Sequence, residues 1–207
     1  MFVETINTVF LHVPKTAGNY VSSVFLDSGL TTETMEVHPH QDGFHRFAIV
    51  GEKTSNKHQS LVDYQKRFDR KQWRSLHFLS IWRDPLERLI SLYLSPHRFL
   101  RQGVVVAPTD YDVDAFSEIV RTYPSTTQKL QTRTRRLPKN LTLLRFEHVR
   151  DDLEKFLDSK GYGLSTPVDV RNPTTSRVLF DQMMADDRVK RIVERSKHIT
   201  DFNLPVR

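Results

Sequence analysis

The chain has 207 residues, 38% hydrophobic and 27% charged, which suits a single soluble domain spanning 1–207 with a full core. No apolar run approaches the roughly 18–20 residues of a membrane span, and the first residues carry no basic cluster. The absence of cysteine excludes disulfides, thiolate metal sites and cysteine nucleophiles, and fits a reducing, cytoplasmic setting. A net charge of +6 leaves two readings open: an anionic ligand or surface, or a merely basic exterior.

In chain order, NTVFLHV (7–13) is a short β-branched apolar run and is expected to be a buried strand. After Pro-Lys-Thr-Ala-Gly, the stretch 19–29 reads as a helix with Asn19 as its cap, Val21, Val24 and Phe25 on one face, and Gly29 as its stop. Residues 35–57 look mostly irregular, with a short strand at RFAIV. Residues 60–68 form a short helix with Leu61, Tyr64 and Phe68 on one side. LHFLSIW (76–82) is the second clear strand. Asp84 caps the helix that follows and Pro85 takes its first position, where a missing N–H costs nothing. Leu86, Leu89, Ile90, Tyr93 and Leu94 then form a core-facing stripe. VDAFSEIVRTY and STTQKLQTR read as helices, 141–147 as a strand, 149–161 as a helix ended by Gly161, and 176–202 as largely helical. Alternating strands and amphipathic helices predict an α/β fold: a P-loop-like three-layer domain with a central, mostly parallel sheet flanked by helices.

Ligands of such sheets gather at the carboxyl ends of the strands, and two loops stand there. The one at Lys15 would aim backbone N–H groups and a helix start at an anion, with Lys15 adding a full charge. The order G-x-x-x-x-G-K-[ST] of nucleotide loops is absent, and no acid is obviously placed for the magnesium that ATP chemistry needs. The alternative is a tight turn with an exposed lysine. At the second loop, Arg83 could offer a fork to a dianionic phosphate beside a helix start; alternatively, R-D-P is an ordinary helix start. Arg88 lies four residues after Asp84, a spacing that favours an ion pair.

HVPKTAGNY resembles the phosphosulfate-binding loop of carbohydrate sulfotransferases, in the branch of the heparan sulfate 2-O- and 6-O-sulfotransferases and their bacterial relatives. That loop, roughly H-[IV]-P-K-T-[AG]-G-T-[ST], grips the 5′-phosphosulfate of 3′-phosphoadenosine-5′-phosphosulfate (PAPS). The resemblance implies cofactor contacts from Lys15, Thr16, Ala17, Gly18, Asn19 and Tyr20. Asn19 and Tyr20 replace hydroxyl residues, so Tyr20 would act through its backbone. RDPLERLISLY is similar to the family's 3′-phosphate motif, which implies roles for Arg83 and Ser91, eight positions apart as that motif requires. RFEHVRDD and the closing region from Asn172 onward extend the likeness over most of the chain; 103–139 matches weakly. Ser176 and Arg177 are implied contacts near the adenosine 3′-phosphate, or else a helix cap and a surface arginine.

The implied reaction is sulfuryl transfer from PAPS to a hydroxyl, releasing adenosine 3′,5′-bisphosphate (PAP), without a metal. The acceptor is expected to be a carbohydrate, as glycan or glycolipid. Lys15 would stabilise the leaving group and a histidine would serve as base. Among His38, His40, His45, His58 and His77, the context NKHQSLVDYQKRF resembles the family segment that holds the base. That selects His58, 25 residues before Arg83, whose other reading is a solvent-facing helix start. His77 reads as a core or sheet-surface residue. HPHQDGFH lacks the pattern of a metal site. The basic run of Lys129, Arg133, Arg135, Arg136 and Lys139 reads as a solvated face rather than a glycan surface, and without interleaved aromatics it does not suit nucleic acid. A kinase-like phosphotransferase and an inactive PAPS-binding module remain the competing readings.

Overall fold

The computed structural model describes residues 1–36, 47–102, 104–163 and 175–206. In chain order the elements are β1 (Phe2–Val3), β2 (Thr8–Leu11), α1 (Gly18–Asp27), β3 (Thr34–Glu36), β4 (Ala48–Val50), α2 (Leu61–Gln65), α3 (Arg70–Ser75), β5 (His77–Trp82) and α4 (Pro85–Tyr93). Then come β6 (Leu100–Arg101), β7 (Val104–Val105), α5 (Val113–Thr122), α6 (Thr126–Leu130), β8 (Leu141–Arg145), α7 (Val149–Asp158), α8 (Arg177–Ala185), α9 (Asp187–Glu194) and a closing 3-10 segment, Lys197–Asn203.

The main sheet has the order β1-β2-β5-β8, with β1 antiparallel and the other three parallel. Its central strands, β2 and β5, are buried on both faces, and side chains alternate between two cores, as a pleat of period two requires. Phe10, Leu79, Ile81 and Leu144 meet α1 and α7 on one side. Val9, Leu11, Phe78 and Leu143 meet α2 and α6 on the other. The arrangement is a mixed α/β fold with helices on both faces of a mostly parallel sheet. A second apolar core, made by α4, α5, α8 and α9, joins Leu89, Ile90, Phe116, Leu179, Met183 and Val193.

Most helix starts follow their sequence signals. Asp84 accepts the Glu87 N–H at 3.0 Å ahead of Pro85, Ser60 and Asp63 form a capping box on α2, and Gly29 and Gly161 take the left-handed conformation past α1 and α7. Two expectations are corrected. Asn19 does not cap α1: the helix begins at Gly18 and its cap position is Ala17, because the preceding loop turns through positive φ. Arg88 does not pair with Asp84, whose carboxylate serves the cap. The Arg88 guanidinium is buried, donates to His198 Nδ1 at 3.1 Å and lies 3.7 Å from Asp201 Oδ2. Strand β3 and its pairing with β4 lie where mostly irregular chain was expected. His38, His40 and His45 lie outside the described residues.

Parallel pairing places Leu11 beside Ser80, whose hydroxyl donates to the Leu11 carbonyl at 2.8 Å. The exits of β2 and β5 are therefore neighbours, and the Lys15 and Arg83 loops rise from the same edge.

Candidate functional site

The Lys15 loop is held in an uncommon shape. Lys15 and Ala17 both have positive φ, at 67° and 63°, a region that costs a non-glycine residue of order 1 kcal/mol and often marks a functional turn. No side chain caps α1; the Tyr20 N–H bonds the Ala17 carbonyl at 3.0 Å, so the Gly18 and Asn19 N–H groups are the ones at the helix start that can serve a ligand. Thr16 is buried and its hydroxyl donates to the Val13 carbonyl at 2.9 Å, which leaves only its backbone N–H to donate to an anionic ligand. Asn19 receives Lys57 Nζ at 3.4 Å. Tyr20 is buried in the α1–α7 core and offers the loop no side chain.

Gly18 is required by its neighbour. A Cβ at this position would lie 2.1 Å from His12 Cδ2, so the His12 ring closes on the bare glycine. His12 is 5% exposed and packs edge-on against His58, ring centres 4.6 Å apart. The His58 Nδ1 is 3.1 Å from the His12 carbonyl. A carbonyl only accepts, so Nδ1 carries the proton and Nε2 is the nitrogen left with a lone pair. Burial holds the His58 pKa down to about 4; the His12 carbonyl opposes that, while Lys57, Lys129 and Lys15 reinforce it. Burial likewise holds His12 well below its ordinary value, helped by the charges of His58 and Lys57. Both rings are neutral at neutral pH.

On the second loop, Arg83 is mostly buried. Its Nη1 donates to the Lys15 carbonyl at 3.1 Å, its Nε and Nη2 reach Glu87 Oε2 at 3.3 Å, and the guanidinium stacks on Phe146 at 4.0 Å. This ties the two loops together and leaves N–H groups on the guanidinium nitrogens for a further acceptor. Ser91 lies two turns along α4 and is buried. Ser176 caps α8 through the Leu179 N–H at 3.3 Å, and Arg177 is exposed, 3.1 Å from Asp181. The neighbouring Thr175 hydroxyl donates to the Leu94 carbonyl, which puts this pair at the far end of α4 from Arg83. The structure thus brings Lys15, Gly18, Asn19, His58 and Arg83 together, and gives Ser176 and Arg177 local partners instead.

Two contributors were not singled out from sequence. His12 lies within the loop motif, and its packing against His58 has no signal in the local sequence. Lys129, grouped with a solvated basic run, is half-buried and donates to the His58 carbonyl at 2.8 Å. Beside His58 an open cleft of about 540 Å³ includes Ser55, Asn56, Gln59, Asp63, Lys66 and Lys129 in its walls. Among the described residues no cluster of His, Asp and Glu could hold a metal ion, and no helix is long and apolar enough to cross a membrane.

Residues 1–160 match the family model described as Sulfotransferase family. The chain belongs to the sulfotransferase family. Sulfuryl transfer to a hydroxylated acceptor is the chemistry of that family, and both strand-end loops, His58 and Lys129 lie inside the matched stretch of this sulfotransferase, whereas α8, α9 and the closing segment lie beyond it. No curated protein and no solved structure matches the chain.

Proposed function

We propose that this sulfotransferase moves the sulfuryl group of PAPS to a carbohydrate hydroxyl, with His58 as general base and 1–207 acting as one P-loop-like domain. The observation that carries the reading is the junction of the two loops by Arg83 and the Lys15 carbonyl, beside a histidine whose Nε2 alone is left to take a proton. The residues fit a phosphosulfate nucleotide: an uncapped helix start and a lysine on one loop, a partly committed arginine on the other. PAPS supplies the activated sulfuryl group and a bisphosphate leaving group.

The chain's own residues divide the remaining work. Lys15 and the N–H groups at the start of α1 would hold the 5′ end and stabilise the negative charge that develops there. Arg83 would take the 3′-phosphate with its remaining N–H groups, supported by Ser91 across two turns of α4. The His58 Nδ1–H is committed to the His12 carbonyl, so Nε2 would accept the proton of the acceptor hydroxyl. A base whose protonated form is disfavoured by burial and three lysines is present in the right form at neutral pH, at some expense of driving force. The cleft beside His58 is where an acceptor would lie, and its polar walls suit a sugar.

Calorimetric titration with PAP beside ADP, with and without Mg²⁺, tests the reading. Metal-independent binding of PAP at least about tenfold tighter than ADP, or 1.4 kcal/mol, supports it. Equal binding, or a preference for ADP with Mg²⁺, moves a kinase-like activity to the front.

A further inference from the structure

The carboxylate of Asp201 has no solvent exposure and stands where several elements meet. Its oxygens accept the backbone N–H groups of Thr126 and Thr127 at 2.7 Å each. Ser125 accepts the next one, from Gln128, at 3.1 Å. Together they satisfy the first N–H groups of α6, which have no partner inside the helix. The Asp201 backbone carbonyl takes Trp82 Nε1 at 2.9 Å, from the last residue of β5 before Arg83. Burial pushes the Asp201 carboxyl up, but His198 and the amides of Thr127 and Thr126 outweigh it and keep the group charged.

At the other end of α6, Leu130 is fully buried in the core shared with Leu61, Tyr64 and Leu11. Lys129, one residue earlier, reaches the His58 carbonyl. With five residues α6 is too short to hold its own shape in water. What anchors its two ends therefore decides where Lys129 sits. We propose that Asp201 is a positioning residue for His58: its carboxylate fixes the start of α6, and α6 holds Lys129 on the His58 carbonyl. The closing segment, outside the stretch matched to the family, thereby becomes part of the apparatus that presents the base. The proposal rests on the reading of His58 as base.

The groups that face His58 are His12 at the end of β2, Lys15 on the loop and Lys57 beside it, with Lys129 from α6. Asp63, Lys66 and Arg67 stand along the cleft. Of the cations, Lys129 alone answers to Asp201.

The test follows the imidazole proton signals of the histidines by NMR through a pH titration, with PAP calorimetry in parallel. Lys129→Met removes a neighbouring positive charge and should raise the His58 midpoint by more than about half a pH unit. Asp201→Asn should move it in the same direction, with His77 unmoved and PAP affinity held within about threefold. A second variant guards against misfolding of the first. Thr126→Pro keeps the carboxylate and deletes one N–H that it accepts. Proline is favoured at a first helical position, Ser125 before it is already extended, and the Thr126 hydroxyl has no partner among the described residues. A midpoint that rises in Thr126→Pro supports the proposal, whether or not Asp201→Asn folds. A folded Thr126→Pro or Asp201→Asn with the unaltered chain's His58 midpoint overturns it. Absence of PAP binding to the unaltered chain would sink the sulfotransferase reading but leave the His58 titration to judge this one.

Discussion

Arg83 Nη1 donates to the backbone carbonyl of Lys15, 68 residues away in the chain, at 3.1 Å. Two loops that leave different strands are thus set against each other by one bond from a side chain to a backbone. Lys15 itself stands at positive φ, so Arg83 also helps to hold the conformation on which the loop depends.

Replacing Arg83 by Ala removes both that tie and the fork available to a 3′-phosphate. A hydrogen bond to a charged group is worth about 1.5–3 kcal/mol, so PAP affinity should fall by roughly 10- to 100-fold. Arg83→Lys should recover little, because a single ammonium cannot reach Lys15, Glu87 and a phosphate at once. Calorimetry of the three proteins decides it; full affinity in Arg83→Lys would remove the fork from the account.

His58→Ala should lower turnover by about 10²–10⁴ while PAP binds as before, since the ring reaches the α1 start only through His12, whose ring stays packed on Gly18. Loss of binding and turnover together would assign His58 to folding instead.

The smallest substitution with a large expected effect is Gly18→Ala. The new Cβ would fall 2.1 Å from His12 Cδ2, and His12 cannot yield without moving His58, which packs against it. Overpacking of this kind costs about 1–3 kcal/mol. Thermal unfolding should show a lower Tm, and the His58 signal should shift; an unchanged His58 environment would mean that the two rings move independently.

Acid should weaken the fold through the paired histidines. In the unfolded chain they take up protons near pH 6.5, whereas the His58 value in the fold is about 4 and His12 is held down as well. Between those limits the unfolded state binds more protons, so stability is full above about pH 6.5 and declines as the pH falls toward 4. His58→Gln should flatten that decline in urea midpoints measured across the window. A slope equal to that of the unaltered chain would count against a neutral, buried His58.

Arg88 and Asp201 form a buried pair, and removing one partner strands the other. Arg88→Met should cost about 3–5 kcal/mol and lower the Tm by about 10 °C, read by calorimetric unfolding. A loss under about 1 kcal/mol would show that His198 and the α6 amides are enough for the carboxylate.

Much of the scaffold was legible because its causes are local. Asp84, Pro85 and the stripe from Leu86 to Leu94 announce α4 in one short window, and the β-branched runs announce β2 and β5. Asn19 misled because its side chain suits a cap, while the actual start was decided by positive φ at Lys15 and Ala17, for which no glycine gives notice. Arg88 misled because its side-chain partners, His198 and Asp201, lie more than a hundred residues on, beyond any helical spacing. In the basic run, Arg133, Arg135, Arg136 and Lys139 do face solvent as their composition suggests. Lys129 differs from them only in where α6 is anchored, and nothing in its neighbours states that. His77 is a sheet residue as expected, bonded to Thr142 at 2.9 Å.

The dependence of α6 on Asp201 has a consequence for how the protein is made. At about 5–20 residues per second, some 10–40 seconds pass on the ribosome between the emergence of the Lys15 loop and that of Asp201. Through that interval β2 has left the tunnel well before β5, and Lys129 before the carboxylate that anchors its helix. An apolar strand and an unanchored α6 thus wait in a nascent chain. A stall in synthesis between residues 160 and 201 would leave a polypeptide with every residue of the strand-end loops but an α6 without the carboxylate at its start.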